Sequence, residues 1–133
     1  MSCNIDAVTI LTLDAWMDAR DILRLIEEHK GKLPDDCFLR KRKKKAMDSV
    51  LGGTGDGRIA LVSFAWTDEG SGHSYDEVLI EKIAPKIHGR VEVVLHWETG
   101  ELSGLRIVDG KVTLHKIALS LGEEETPTPK LSF

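Results

Sequence analysis

VEVVLHWETGELSGLRIVDGKVTLHKIALSL, residues 91–121, is the stretch whose reading decides the fold. Apolar and polar residues alternate along it, and two turn signals cut it into three segments. Asp109-Gly110 sits between apolar runs. A type I′ hairpin turn needs positive φ at both central residues, which Asp-Gly tolerates. The turn predicts the pairs Val108 with Lys111, Ile107 with Val112, Arg106 with Thr113, Leu105 with Leu114, and Gly104 with His115. The earlier turn, Glu98-Thr99-Gly100, fits a three-residue loop with Gly100 left-handed, forming a bulge. That loop pairs Val93 with Leu105 and Glu92 with Arg106. A two-residue loop would set Val93 and Arg106 on one face. Side chains alternate with period two, so only the longer loop separates an apolar face from a polar one.

The expected sheet therefore has two unlike sides. Val91, Val93, Leu95, Trp97, Leu105, Ile107, Val112 and Leu114 form the face that packs under helices. Glu92, Val94, His96, Leu102, Gly104, Arg106, Thr113, His115 and Ile117 form a mixed open face. On it, Gly104 leaves a gap between Val94 and His115.

Working outward, the chain of 133 residues predicts one domain with a core of its own. Formal net charge is −4, so the bulk field does not draw the chain to nucleic acid. Cys3 and Cys37 have no metal-type or redox-type spacing, which suits a reducing cytosol and leaves a Cys3–Cys37 disulfide open. MSCNIDAV has no basic start followed by an apolar run, and the longest apolar run, residues 59–66, is too short to span a bilayer. The expectation is a cytoplasmic protein with no membrane partner and no cofactor.

Residues 5–13 are rich in β-branched side chains and, apart from Asp6 and the threonines, apolar on both alternations, which predicts a central strand of the sheet. Asp14 is the expected cap of a helix over residues 15–30, with Ala15, Ala19, Ile22 and Ile26 inward and an Arg24–Glu28 pair outward. Gly31 fits the C′ position. Asp35 caps a second expected helix, residues 36–51. A Gly-rich link leads to a strand over residues 58–66. Ser74 and Glu77 fit a capping box for a third helix reaching His88, which Pro85 kinks or ends and Gly89 closes. The fold read from this is a single α+β domain over residues 1–121, in the order β-α-α-β-α-β-β-β. It has a mixed five-stranded sheet, the helices on one face and a C-terminal antiparallel meander. Residues 122–133, GEEETPTPKLSF, read as a mobile acidic, Pro-containing tail.

The loudest local signal is the basic run from Arg40 to Lys45. Six consecutive residues cover more than one helical turn and cannot share a face. With Leu39, Ala46 and Val50 inward, Lys43 falls nearest the buried stripe and Arg42 at its edge. Arg40, Lys41, Lys44 and Lys45 then form an outward patch suited to phosphates or an acidic partner. A solvated helix face with long stems over apolar surface fits the same run. Gly70-Ser71-Gly72-His73-Ser74 precedes a helix, the order an anion site needs, but Asp68, Glu69, Asp76 and Glu77 surround it and an ordinary capped loop explains it. His96 and His115 share the open face with Glu92 and Arg106, a set capable of acid–base work over Gly104, or simply the polar side of a sheet. No metal-type histidine pair is present. Trp16, Trp66 and Trp97 read as core or interface anchors.

From residue 58 to residue 113 a strand ending SFAW leads to the helix EVLIEKIAPKI, a strand ending HWETGE and a strand ending VDGKV. This segment resembles the small ferredoxin-like proteins of unknown function carried by phages and plasmids. The resemblance implies a compact accessory protein of a mobile element that binds a host component, and it supplies no catalytic residues. The expected function is non-enzymatic protein–protein binding, an anti-CRISPR-like inhibitor of host defence being its most concrete form. Nucleic-acid binding through Arg40, Lys41, Lys44 and Lys45 is one alternative. A small enzyme using the groove of Glu92, His96, Gly104, Arg106 and His115 is another. The open face also suits homodimerisation.

Overall fold

The computed structural model describes residues 5–53, 55–66, 75–117 and 122. The elements are β1 (Ile5–Asp18), α1 (Ala19–His29), α2 (Phe38–Gly52), β2 (Arg58–Ala60), a π-helical segment (Tyr75–Ile83), a 3-10 turn (Ala84–Lys86), β3 (His88–Trp97), β4 (Leu102–Val108) and β5 (Lys111–Lys116). They form a single α+β domain around one five-stranded sheet in the order β2-β1-β3-β4-β5. Every neighbouring pair is antiparallel, so the sheet is not mixed as the sequence suggested. The helix pair α1–α2 is the reason. Two successive helices return the chain to the end of the sheet where β1 stopped, and Ala19 N donates to Gly57 O at 2.8 Å to join the start of α1 to the entry of β2. A single crossover helix would have given a parallel neighbour; a pair gives an antiparallel one.

The meander follows the turn chemistry. Asp109 (φ 47°) and Gly110 (φ 87°) take the left-handed turn, and Gly100 (φ 89°) closes the other loop. The register pairs Val93 with Leu105, Glu92 with Arg106, Gly104 with His115 and Val108 with Lys111, as the turns require. Val91, Val93, Leu95, Leu105 and Ile107 are buried, with Trp97 and Val112 packed against them. Leu114 departs from expectation: on β5, the edge strand of the sheet, it stands 64% exposed.

β1 is longer than the sequence suggested, and its apolar pattern has another cause. Ile10 pairs with Val93 and Thr12 with Glu92, which leaves Leu11 as an extra residue; a second shift lies between Ile5 and Ala7. Each bulge flips the parity of the strand. Thus Ile10 faces the core from an even position, and Leu13, Ala15 and Met17 from odd ones. Asp14 therefore lies within β1. The helix starts at Ala19, capped by Asp18, whose Oδ1 accepts from Arg20 N at 2.8 Å. Ala19, Ile22, Leu25 and Ile26 are the buried residues of α1, and Arg24 lies 3.7 Å from Asp21.

β2 ends early. Leu61 N still donates to Ala15 O, after which the chain leaves the sheet and packs under α2. Phe64 stacks on Phe38 with ring centroids 4.4 Å apart, Trp66 lies beside them, and Ala65 O accepts from Phe38 N, one of the amides a helix start leaves over. The third helix is π-helical and gives way to the 3-10 turn that carries Pro85. Gly89 does not close this helix. It lies in β3 at φ 87°, where a Cβ would come within 2.2 Å of Asp14 O, so only glycine lets β1 pass. Among the described residues no helix is long and apolar enough to cross a membrane. The Gly70–Ser74 loop, the Ser74 cap, Cys3 and the tail beyond Gly122 lie outside the described residues.

Candidate binding site

α2 lies along β2, and a groove of about 540 Å³ opens between them. Lys41, Lys44, Lys45, Asp48 and Ser49 line it from the helix; Gly55, Gly57, Arg58 and Ile59 line it from the other side. Lys41, Lys44, Lys45 and Asp48 recur at i, i+3, i+4 and i+7, which puts them on one helical face. Arg58 completes the set from a separate element. Its guanidinium lies 4.7 Å from the centre of the Trp16 ring and 3.8 Å from Asp56 Oδ2. Among the described residues, four cationic residues thus line one concavity, with Asp48 as a carboxylate beside them. In a chain of net charge −4 this is a local positive field, which low-dielectric walls focus.

Three of the four residues expected in the basic patch therefore meet in the groove. Arg40 serves another purpose. Its Nε donates to Pro34 O at 3.1 Å, and its Nη2 donates to Lys30 O at 2.9 Å and Leu33 O at 3.2 Å. It clamps the connector between α1 and α2, giving partners to carbonyls that the end of α1 leaves over. Arg42 and Lys43 also exchange places relative to expectation. Arg42 is half-buried in the row Phe38, Arg42, Ala46, whereas Lys43 is exposed. The predicted phase sets Val50 inward, but it is exposed, as are its neighbours Met47 and Leu51. Dropping Val50 and adding Phe38 turns the inward direction by roughly 40°, about half of one residue step.

Arg58 was missed by the sequence reading. Nothing local marks it, since its place depends on β2 lying beside α2.

The open face of the sheet has a different character. Glu92 pairs with Arg90 and lies 3.5 Å from Arg106, so it bridges two guanidinium groups. His115 Nε2 is 2.8 Å from Thr113 Oγ1. His96 pairs with Leu102, and His115 with Gly104 on the next strand pair. The gap at Gly104 is filled: a Cβ there would meet His115 Cβ at 3.3 Å and Ile117 Cγ1 at 3.6 Å. Gly104 permits a close approach of β5 and does not floor a pocket. Glu92 and Arg106 are brought together; the histidines belong to neighbouring rows. At the other end of this face Trp16 stacks on His88, with centroids 4.1 Å apart; Trp97, packed against the core, donates from Nε1 to Ser103 Oγ at 2.7 Å. Trp66 alone of the three tryptophans is fully buried.

Among the described residues no group of three or more His, Cys, Asp or Glu side chains is placed to hold a metal ion. Cys37 is buried with a free thiol, and burial pushes that thiol above its ordinary pKa against the opposing pull of the Arg40 and Leu39 amides. No protein-family model, curated protein or solved structure matches the chain.

Proposed function

We propose that the protein is a non-enzymatic binding module whose α2–β2 groove receives an acidic surface of a protein partner. The observation that carries this reading is the convergence of Lys41, Lys44 and Lys45 from a helix with Arg58 from a strand around one concavity. Long, fully solvated side chains on one helix face need no function; cations from two elements around a groove act together on one anionic group. A protein partner is favoured over nucleic acid by two features. Asp48 interrupts the run of cations that a continuous phosphate backbone would follow, and among the described residues the lining contains no aromatic side chain for base stacking. The reading sets the protein in the cytoplasm. The resemblance of residues 58–113 supports a mobile-element setting, in which the partner is a host component such as a defence complex.

Co-purification from the native host tests this. The wild-type chain is compared with a Lys41→Gln, Lys44→Gln, Lys45→Gln variant. A protein that co-purifies with the first and is lost with the second supports the reading. Identical partners for both chains overturn it. The second reading, nucleic acid in the same groove, is supported by the helical spacing of the lysines. It requires binding whose log–log salt dependence has a slope of roughly −0.7 to −0.9 per phosphate contacted.

A further inference from the structure

We propose that the partner's docking segment carries an aliphatic anchor beside its carboxylates, and that Met47, Val50 and Leu51 at the C-terminal end of α2 receive it. This rests on the groove reading above and names the chemistry of its occupant. α2 contributes Phe38, Leu39 and Ala46 to the core, yet leaves Met47 39%, Val50 38% and Leu51 79% exposed. Single exposed aliphatic residues are common on any protein. Three within five consecutive positions of one helix form a patch, and this patch continues the groove's rim: Lys44, Met47 and Leu51 follow at i, i+3 and i+7. The exposed side of α2 therefore passes from cationic to apolar without a break.

Charge and spacing define the complement. Carboxylates belong over Lys41, Lys44 and Lys45, and an aliphatic side chain over Met47 and Leu51. Lys44 and Leu51 are separated by about 10 Å along the helix axis, which an extended chain spans in about three residues. A bilayer of anionic lipid is a poorer fit. It is flat and would meet the convex side of α2, away from the groove wall that Arg58 lines.

The test uses the full chain and two synthetic peptides. One has a run of glutamates followed about three residues later by leucine; in the other, serine replaces that leucine. Binding is read by fluorescence anisotropy, and thermal melting verifies that each variant is folded. The wild-type chain is expected to bind the leucine peptide about tenfold more tightly than the serine peptide. Leu51→Ser removes that advantage and leaves the serine peptide's affinity unchanged. The Lys41→Gln, Lys44→Gln, Lys45→Gln variant loses both peptides. Equal affinity of the wild-type chain for the two peptides overturns the aliphatic anchor and leaves the groove reading standing. Undiminished binding of both peptides by the lysine variant overturns both. Binding to phosphatidylserine vesicles that Leu51→Ser abolishes assigns the patch to a lipid surface and overturns the anchor. Concentration-dependent dimerisation that Leu51→Ser abolishes assigns it to a second copy of the chain, with the same consequence.

Discussion

β1 and β3 lie side by side in the middle of the sheet, yet only one of them keeps step. β3 runs against β4 in unbroken register from Arg90 to His96. β1 runs against β3 with two register shifts, one at Leu11 and one between Ile5 and Ala7. The two seams differ in how their strands are joined. A short turn ties β4 to β3, so turn chemistry fixes the alignment as soon as the hairpin closes. β1 reaches β3 only after both helices, β2 and the π-helical segment have intervened. No turn sets that alignment. The bulges absorb the mismatch and bring Ile10, Leu13, Ala15 and Met17 onto one face. Local geometry dictates one seam; packing against the finished core dictates the other.

The largest expected effect breaks this contrast directly. Deleting Val94 from β3 shifts one half of an unbulged central strand and turns either Val93 or Leu95 away from the core. Each such side chain is worth about 1.5–3 kcal/mol, and several move together, against a total stability of roughly 5–15 kcal/mol. No folded protein is expected. Deleting Leu11 removes only the bulged residue, since Ile10–Val93 and Thr12–Glu92 already stand next to each other in register. A loss of less than about 2 kcal/mol is expected, read by urea unfolding. If both deletions unfold the chain, the bulge is not what reconciles the two strands.

Two glycines sharpen the same comparison at the next level. Gly89 and Gly100 have nearly the same φ, 87° and 89°. Gly100 lies in the hairpin turn, where a Cβ meets nothing within 4 Å; at Gly89, on the β1–β3 seam, it meets Asp14 O at 2.2 Å. Gly100→Ala is expected to cost roughly 1–2 kcal/mol, the backbone penalty alone. Gly89→Ala adds a clash with main chain that cannot yield and is expected to cost roughly 3–5 kcal/mol. Equal losses in thermal or chemical unfolding would show that the seam relaxes freely.

The same division explains what could be read in the sequence. Both hairpin registers, the two sheet faces and the left-handed Gly100 and Asp109-Gly110 follow from residues close together in the chain. Leu13, Ala15 and Met17 fit period two, whereas Ala15, Ala19, Ile22 and Ile26 fit period 3.6. Ala15 belongs to both patterns, so the end of β1 is ambiguous until Gly89 and β2 are in place. The antiparallel β2 follows from a helix pair folding back, which no local residue announces. In the candidate site, Lys41, Lys44 and Lys45 were legible because helical spacing groups them. Arg58 was not, because it joins them across the α2–β2 contact. Arg40 misled because its guanidinium turns back to carbonyls six to ten residues earlier in the chain.

Arg40 and Lys41 are adjacent in sequence and carry the same charge, which makes them a test of position against composition. Arg40→Ala leaves Lys30 O, Leu33 O and Pro34 O without their donor and is expected to cost roughly 1–2 kcal/mol of stability. Lys41→Ala removes an exposed cation and is expected to change stability by less than about 0.5 kcal/mol. Binding of an acidic ligand should respond in the opposite order, weakened by Lys41→Ala and little changed by Arg40→Ala in the folded fraction. Unfolding curves and binding isotherms on the same two variants decide it.

Cys37 gives a pH-dependent effect and places a chemical probe at the buried head of α2. Its side chain is fully buried at the head of α2, and burial raises its thiol above the ordinary value of 9.0. In the unfolded chain the thiol is free to ionise near that ordinary value. As pH rises past it, the unfolded state releases a proton that the folded state retains. The folded state then binds more protons, so stability falls with pH. The decline begins near pH 9.0 and ends once pH passes the folded pKa, at up to roughly 1.4 kcal/mol per pH unit. Below pH 9.0 the contribution is complete and flat. The quantity to measure is the difference in unfolding free energy between the wild-type chain and Cys37→Ala. That difference should be constant from neutral pH to about pH 9 and then shrink as the wild type loses its advantage. Parallel curves across the whole range would mean that water reaches the thiol. The head of α2 would then be looser than the contacts of Phe38 with Phe64 and Ala65 imply.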